Sequence, residues 1–218
     1  MPMVRSPENP HRPGGAESNP HQTLEGGIEM LPLPRPPRTR GPLLFLFDFD
    51  DTLFPTTQLS QEYPKTPYKP GHVVPPRIDV HEVIRSMQEL LGLCCELGEV
   101  RVISTAMDLW LDLALRPYLN HPRLQRVQVH SSRPYWDRGL CPSKLPLFKR
   151  FVEQTRCRKA IIVGDGPDER KSFELLRQTA RVPLYFWQIP APAPYLSATT
   201  MRKEHRRLRK EIAQLGRP

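Results

Sequence analysis

An α/β fold, a parallel sheet with helices on both faces, is what this sequence predicts, and three observations predict it. Two short runs, Leu43 to Phe47 (LLFLF) and Ala160 to Val163 (AIIV), are wholly apolar, as strands buried on both faces must be. Around them, segments with apolar residues at helical spacing alternate with further strand candidates, the order that right-handed crossovers of a parallel sheet require. Acidic residues follow both apolar runs closely, at the strand ends where open α/β sheets gather their ligands.

The chain has 218 residues, enough for one ordinary domain with tails. Residues 1–42 hold many of the 27 prolines, with Gly, Ser, Asn, His and Arg and no apolar periodicity, which predicts a disordered or polyproline-like basic tail. Within it, Leu31 to Pro37 (LPLPRPP) resembles a ligand for a domain that reads polyproline helices, a plain solvated tail being the alternative. The domain itself is expected over 43–190, with Leu43 to Phe47 as its central strand. Next, 55–77 is rich in Pro, Thr, Tyr and Lys without helical periodicity and reads as a long loop or flap.

Asp79 can cap a helix running to about Leu97, on which Val80, Val83, Ile84, Met87, Leu90, Leu91 and Cys94 recur at helical spacing, and Gly98 ends it. A strand follows at Val100 to Ser104, a helix from about Met107 to Tyr118, and an alternating strand at Arg126 to His130. Ser131 to Cys141 reads as a loop and Ser143 to Thr155 as a helix. Beyond the AIIV strand, Asp168 to Ala180 is helical and Leu184 to Trp187 (LYFW) is the fifth strand. Over 191–218, the run Met201 to Lys210 (MRKEHRRLRK) predicts a basic helix or tail whose Leu208, Ile212 and Leu215 pack lightly against the domain. Nuclear import or nucleic-acid contact competes there with a solvated helix end, and without interleaved aromatics base stacking has little support.

The formal net charge of +9 favours acidic partners: nucleic acid, phosphorylated protein or an anionic surface. The chain lacks a run of roughly 18 apolar residues and the apolar core of a secretory signal, so no membrane span is expected and a cytoplasmic or nuclear location is. Cys94, Cys95, Cys141 and Cys157 show no paired spacing of a zinc site and read as reduced thiols.

The chemistry gathers at the predicted strand ends. Asp48 and Asp50 place two carboxylates two residues apart just beyond the central strand. One can attack phosphorus while the other protonates the leaving oxygen, and both need a metal to quench repulsion from an incoming phosphate. A second acidic group, Asp165 with Asp168 and Glu169, follows Gly164, and oxygen ligands of this kind suit magnesium. Asp168 also reads as an ordinary acid in the first turn of a helix. Ser104 and Thr105 close a strand and offer a hydroxyl and backbone donors to a phosphoryl oxygen, and Lys144, near a helix start, can neutralise the same group.

The run FDFDDTLFPT (Phe47 to Thr56) resembles the first motif of the haloacid dehalogenase-like phosphotransferases, VISTA (Val102 to Ala106) their second, and GDGPDE (Gly164 to Glu169) their last. The resemblance spans roughly Leu43 to Trp187 and implies a single Rossmann-like domain of five parallel strands. It implies Asp48 as nucleophile, Asp50 as general acid/base and Ser104 as a phosphate-binding hydroxyl. Magnesium would be held by Asp48, the Asp50 backbone carbonyl and Asp165, with Glu169 serving through a water. The third motif is only a lysine: Lys144 fits because Leu147 and Phe148 follow as the buried face of its helix, whereas Lys149 falls in mid-helix. In the last motif the usual second Asp, four residues after the first, is replaced by Glu169, with Asp168 one residue short.

The expected function is hydrolysis of phosphate monoesters with magnesium, and a binding or scaffold protein that keeps the fold and holds acidic partners with basic tails is the alternative. A dehalogenase has no use for Asp50, and a mutase normally needs a lid that encloses its substrate. Neither interval where the resembling family inserts a lid leaves room for a separate domain, so an open site without a cap domain is expected. That favours a phosphorylated macromolecule, protein or nucleic acid, with Lys65, Tyr68 and Lys69 on the flap as candidate contacts.

Overall fold

The computed structural model describes residues 42–62, 80–190 and 198–215, without the side chains of 60–62. The polyproline-like run Leu31 to Pro37, the cap expected at Asp79, and the flap residues Lys65, Tyr68 and Lys69 lie outside the described residues.

Five parallel strands form one sheet in the order β3-β2-β1-β4-β5. They are β1 (Leu43–Phe47), β2 (Gly98–Ser104), β3 (Gln128–Ser131), β4 (Lys159–Gly164) and β5 (Leu184–Gln188). The end of β1, Phe47, lies opposite Val102 of β2 and Val163 of β4. Every side chain of β1 is fully buried because both faces of the sheet are covered. Leu43, Phe45 and Phe47 enter one apolar layer with α2 (Val80–Leu97) and α7 (Ala198–Leu215). Leu44 and Leu46 enter the other with α5 (Leu145–Gln154) and α6 (Pro167–Arg177). A strand so placed needs apolar residues at every position, which is why LLFLF shows no alternation.

Several expected elements are altered. The segment read as a loop or flap from 55 opens with a helix, α1 (Thr56–Glu62). Its first turn is held by the Asp51 carboxylate, which accepts from the Thr57 amide at 3.0 Å and from the Thr57 hydroxyl. The helix is short and only Leu59 among its described side chains packs on the core, so no apolar period marks it. The helix expected from Met107 to Tyr118 is α3 (Asp108–Ala114), followed by a 3₁₀ turn over Arg116–Leu119. Pro117 has no amide proton with which to continue the helical ladder. Within the expected loop Ser131 to Cys141 lies a one-turn helix, α4 (Arg133–Trp136). Gly98 belongs to β2 rather than to the helix end: a Cβ there would sit 1.9 Å from the Leu43 carbonyl oxygen across the strand pair.

The basic C-terminal segment packs more deeply than expected. α7 lies along α2, and its Ala198, Met201, Leu208 and Ile212 are buried in the same layer as β1. Arg202 pairs with Glu82 at 3.3 Å and Arg209 with Glu89, both acids on α2. Lys203, Arg206, Arg207 and Lys210 are exposed, so the helix is amphipathic and the basic run is its outer face. Leu208 and Ile212 were legible as packing residues, whereas Leu215 is only partly buried and Ala198 and Met201, outside that expectation, complete the buried face. The four thiols are free, and no helix among the described residues is long and apolar enough to cross a membrane.

Candidate active site

The site forms where β1, β2 and β4 end. The Asp48 amide donates to the Val163 carbonyl at 2.9 Å, so the sheet ladder continues through the first acid of the DFDD run. Phe49 turns into the core and stacks on Phe54 with ring centroids 5.5 Å apart, leaving Asp48 and Asp50 to point away from that layer. Asp51 takes φ 54, a left-handed conformation that Asp tolerates better than most residues. The chain reverses there: the Phe49 carbonyl accepts from the amides of Leu53 and Phe54 at 2.9 and 3.1 Å, and the Asp51 amide donates to Phe54 O at 2.7 Å.

The two acids of the first motif face different partners. Asp48, only 5% exposed, meets the Lys144 ammonium and accepts from the Thr52 hydroxyl at 3.3 Å. The same hydroxyl lies 3.1 Å from Asp165, so Thr52 spans the two carboxylates. Asp50 accepts from the Ser104 hydroxyl at 2.7 Å, the Thr56 hydroxyl at 2.7 Å and the Trp110 indole at 3.4 Å. Ser104 also accepts from the Ala106 amide at 2.9 Å, and Thr105 is half-buried just beyond β2.

Lys144 stands directly before α5, and α6 positions it. Asp168, in the first turn of α6, accepts from the amides of Ser143 and Lys144 at 2.8 and 3.1 Å and from the Ser143 hydroxyl at 3.2 Å. Those bonds satisfy donors at the start of α5 and aim the Lys144 side chain inward. Its ammonium, 3% exposed, reaches both Asp48 and Glu169. Glu169 in turn accepts from the Gly166 amide at 3.0 Å, closing the turn after β4. The two acids of the last motif thus divide the work, Asp168 capping a helix and Glu169 entering the cluster. Gly164 makes room for this, since a Cβ there would fall 2.4 Å from Glu169 Cγ.

Asp48, Asp165 and Glu169 each offer a carboxylate oxygen within 4.8 Å of the others. Fully ionised, three carboxylates and one ammonium would leave two negative charges in excess in a largely buried space. Burial pushes the Asp48 carboxyl well above the usual carboxylate range, with Glu169 and Asp165 adding to the rise and Lys144 opposing it. Asp165 rises as well, through burial first and Glu169 second. Burial by itself would lower Lys144, but the Asp48 and Glu169 carboxylates outweigh it and hold the ammonium above its usual value. Burial is thus the main cause of the rise at the two carboxyls, with like charge adding to it, while at Lys144 the neighbouring negative charge alone sets the direction. A divalent cation with a preference for oxygen donors would cancel the excess charge, and the donor set fits magnesium.

Of the residues expected from sequence, Asp48, Lys144, Asp165 and Glu169 converge in one cluster, and Asp50 with Ser104 forms a second bonded pair next to it. Asp50's carboxylate is not part of the acidic cluster. Sequence reasoning missed Thr52, Thr56 and Trp110. Thr52 lies inside the first motif and carried a signal; Trp110 reaches Asp50 from α3 and carried none.

Four large apolar side chains are exposed on the loops and short helices that follow β2 and β3: Met107, Leu109 on α3, Trp136 on α4, and Leu140. These loops are stitched together by the Ser131 hydroxyl on the Ala106 carbonyl at 2.6 Å and the Ser132 amide on the Ser104 carbonyl at 2.7 Å.

No family model matches the chain and no curated protein matches it. Among solved structures, an effector protein of Legionella pneumophila aligns at 9% identity and TM-score 0.45, over 84% of this chain and 99% of that chain. The trehalose-6-phosphate phosphatase of Aspergillus fumigatus aligns at 11% identity and TM-score 0.46, over 78% of this chain and 93% of that chain. Likenesses this weak carry no argument about chemistry, which rests on the residues themselves.

Proposed function

We propose that this chain is a magnesium-dependent phosphatase that hydrolyses phosphate monoesters through an aspartyl-phosphate on Asp48. The observation that carries the reading is the buried constellation at the sheet's carboxyl edge: Asp48 held by Lys144, flanked by Asp165 and Glu169, with Asp50 held separately by Ser104 and Thr56. A Asp48 carboxylate oxygen attacks phosphorus, the bond from phosphorus to the ester oxygen breaks, and Asp50 as the acid gives that oxygen its proton. Asp50, now a carboxylate, takes a proton from water as that water attacks the aspartyl-phosphate, releasing phosphate and restoring Asp48. Lys144 offsets the charge that develops beside Asp48. Magnesium, bound through Asp48, Asp165 and Glu169, would supply the positive charge that lets a phosphate dianion approach these acids.

The substrate in this reading is a phosphorylated macromolecule. Between β2 and Lys144 the chain is used by α3, the 3₁₀ turns over Arg116–Leu119 and Pro122–Leu124, β3 and α4, which leaves no separate lid domain in that interval. The exposed Met107, Leu109, Trp136 and Leu140, all on the chain that follows the carboxyl ends of β2 and β3, support a large partner, because the site lies at that same end of the sheet and large apolar side chains left in solvent there offer contact area. A screen of phosphopeptides, phosphorylated nucleic-acid ends, sugar phosphates and mononucleotides with purified protein and magnesium tests both points. The expected result is chelator-sensitive turnover, abolished in a folded Asp48→Asn variant, with macromolecular substrates preferred. Wild-type-like turnover by that variant overturns the mechanism, and a sugar phosphate or mononucleotide that is tenfold or so better than every macromolecule overturns the substrate class.

A further inference from the structure

The C-terminal helix reaches the candidate site through one buried histidine. His205 on α7 is 1% exposed, with Nε2 2.9 Å from the Thr52 carbonyl oxygen and Nδ1 2.8 Å from the Ser86 hydroxyl on α2. A carbonyl can only accept, so Nε2 carries the proton. Burial lowers the His205 pKa to about 4, so the ring is neutral near pH 7 and Nδ1 is left as an acceptor for Ser86. The Ser86 hydroxyl also lies 2.9 Å from the Val83 carbonyl, so its single proton is shared between the helix and the ring.

Thr52 is fully buried and acts in two directions. Its carbonyl is held by His205, while its hydroxyl spans Asp48 and Asp165. The two carboxylates belong to different strand ends, and their mutual repulsion favours separation. A hydroxyl held between them sets their spacing only if the turn that carries it is itself fixed. The Leu53, Phe54 and Asp51 amides close the turn on either side, but the Thr52 amide's own bond to the Phe49 carbonyl is long at 3.3 Å, so the Thr52 peptide is held chiefly through its carbonyl.

We propose that His205 is a positioning residue: by donating to the Thr52 carbonyl it fixes the turn that sets Asp48 against Asp165, so the C-terminal helix is part of the site's machinery. This rests on the reading of the acidic cluster as a magnesium site. Residues that orient metal ligands in this way typically alter metal affinity or activity by about 10- to 100-fold when changed.

The test compares three substitutions in the full chain. His205→Gln places an amide donor where Nε2 stands, His205→Asn keeps only the Nδ1 side toward Ser86, and His205→Leu removes both. Each is followed by thermal melting, by calorimetric titration with magnesium alone, and by kcat and KM on the substrate found in the screen above. The expected result is near-wild-type magnesium affinity and kcat for Gln, and a loss of about 10- to 100-fold for Asn and Leu with KM little changed. If Leu does not fold, the contrast between Gln and Asn decides. Equal magnesium affinity and kcat in Gln and Asn overturn the proposal. Wild-type protein that binds magnesium but turns over no substrate overturns the phosphatase reading while the affinity contrast still supports the positioning role. Wild-type protein that binds no magnesium overturns both.

Discussion

Replacing Lys144 by Met removes the ammonium that touches both Asp48 and Glu169 and leaves three neighbouring carboxylates without it. The side chain is 3% exposed and its two partners are equally enclosed, so solvent screens little of the change. Two unit charges 4 Å apart interact by about 4 kcal/mol at an effective dielectric near 20, and removing one partner of a buried pair typically costs about 3–5 kcal/mol. For a chain of this size each kcal/mol moves Tm by roughly 2–4 °C, so the metal-free variant should melt roughly 6–20 °C below wild type. Two conditions should shrink the gap. Magnesium should, because a cation among the carboxylates replaces the lost charge, and so should lowering the pH toward 5. The second follows from sign: Asp48 already binds its proton more tightly in the folded state, and losing Lys144 strengthens that, so stability of the variant rises as pH falls. Differential scanning calorimetry in chelator, in magnesium and across pH measures all three. A metal-free Lys144→Met protein melting within 2 °C or so of wild type near pH 7 would refute the view that excess buried negative charge governs this site.

Three further outcomes are expected. Gly164→Ala drives a Cβ into the base of the Glu169 side chain, 2.4 Å from Cγ and 2.8 Å from Cβ, so Glu169 must leave the cluster; magnesium affinity should fall about 10- to 100-fold, and unchanged affinity would count against Glu169 as a ligand. His205, with its folded pKa lowered to about 4 from 6.5, contributes stability that is complete above about pH 6.5 and is lost as pH falls toward 4, about 3 kcal/mol in all. Because Asp48 and Asp165 act with the opposite sign in wild type and His205→Gln alike, urea midpoints of the two proteins from pH 7 to 4 isolate this contribution, and parallel curves would exclude it. Truncation after residue 197 removes Met201, Leu208 and Ile212 from the core, roughly 1.5–3 kcal/mol each and so roughly 5–9 kcal/mol together, comparable with the whole stability of a domain; the shortened chain should lose its cooperative melt, and a preserved transition would show that α7 only rests on the surface.

What the sequence by itself determined is local and periodic. LLFLF and AIIV read as strands buried on both faces, and they are the central strand and its neighbour, where both faces of the sheet are covered and every side chain is buried. The acids after them were legible as a site because charge at the end of a buried strand is costly unless it has a partner. The tertiary structure decided what required distance. It separated Asp168 from Glu169, neighbours in sequence, because consecutive side chains on α6 point about 100° apart and only Glu169 faces the cluster. It recruited Trp110 from α3 to Asp50 and His205 from α7 to Thr52, bonds that span 60 and 153 residues of chain and leave no periodic trace in it. It also drew the basic helix, expected to pack only lightly through Leu208, Ile212 and Leu215, into the core with Ala198 and Met201 as well, since composition averages over all sides of a helix and burial selects one.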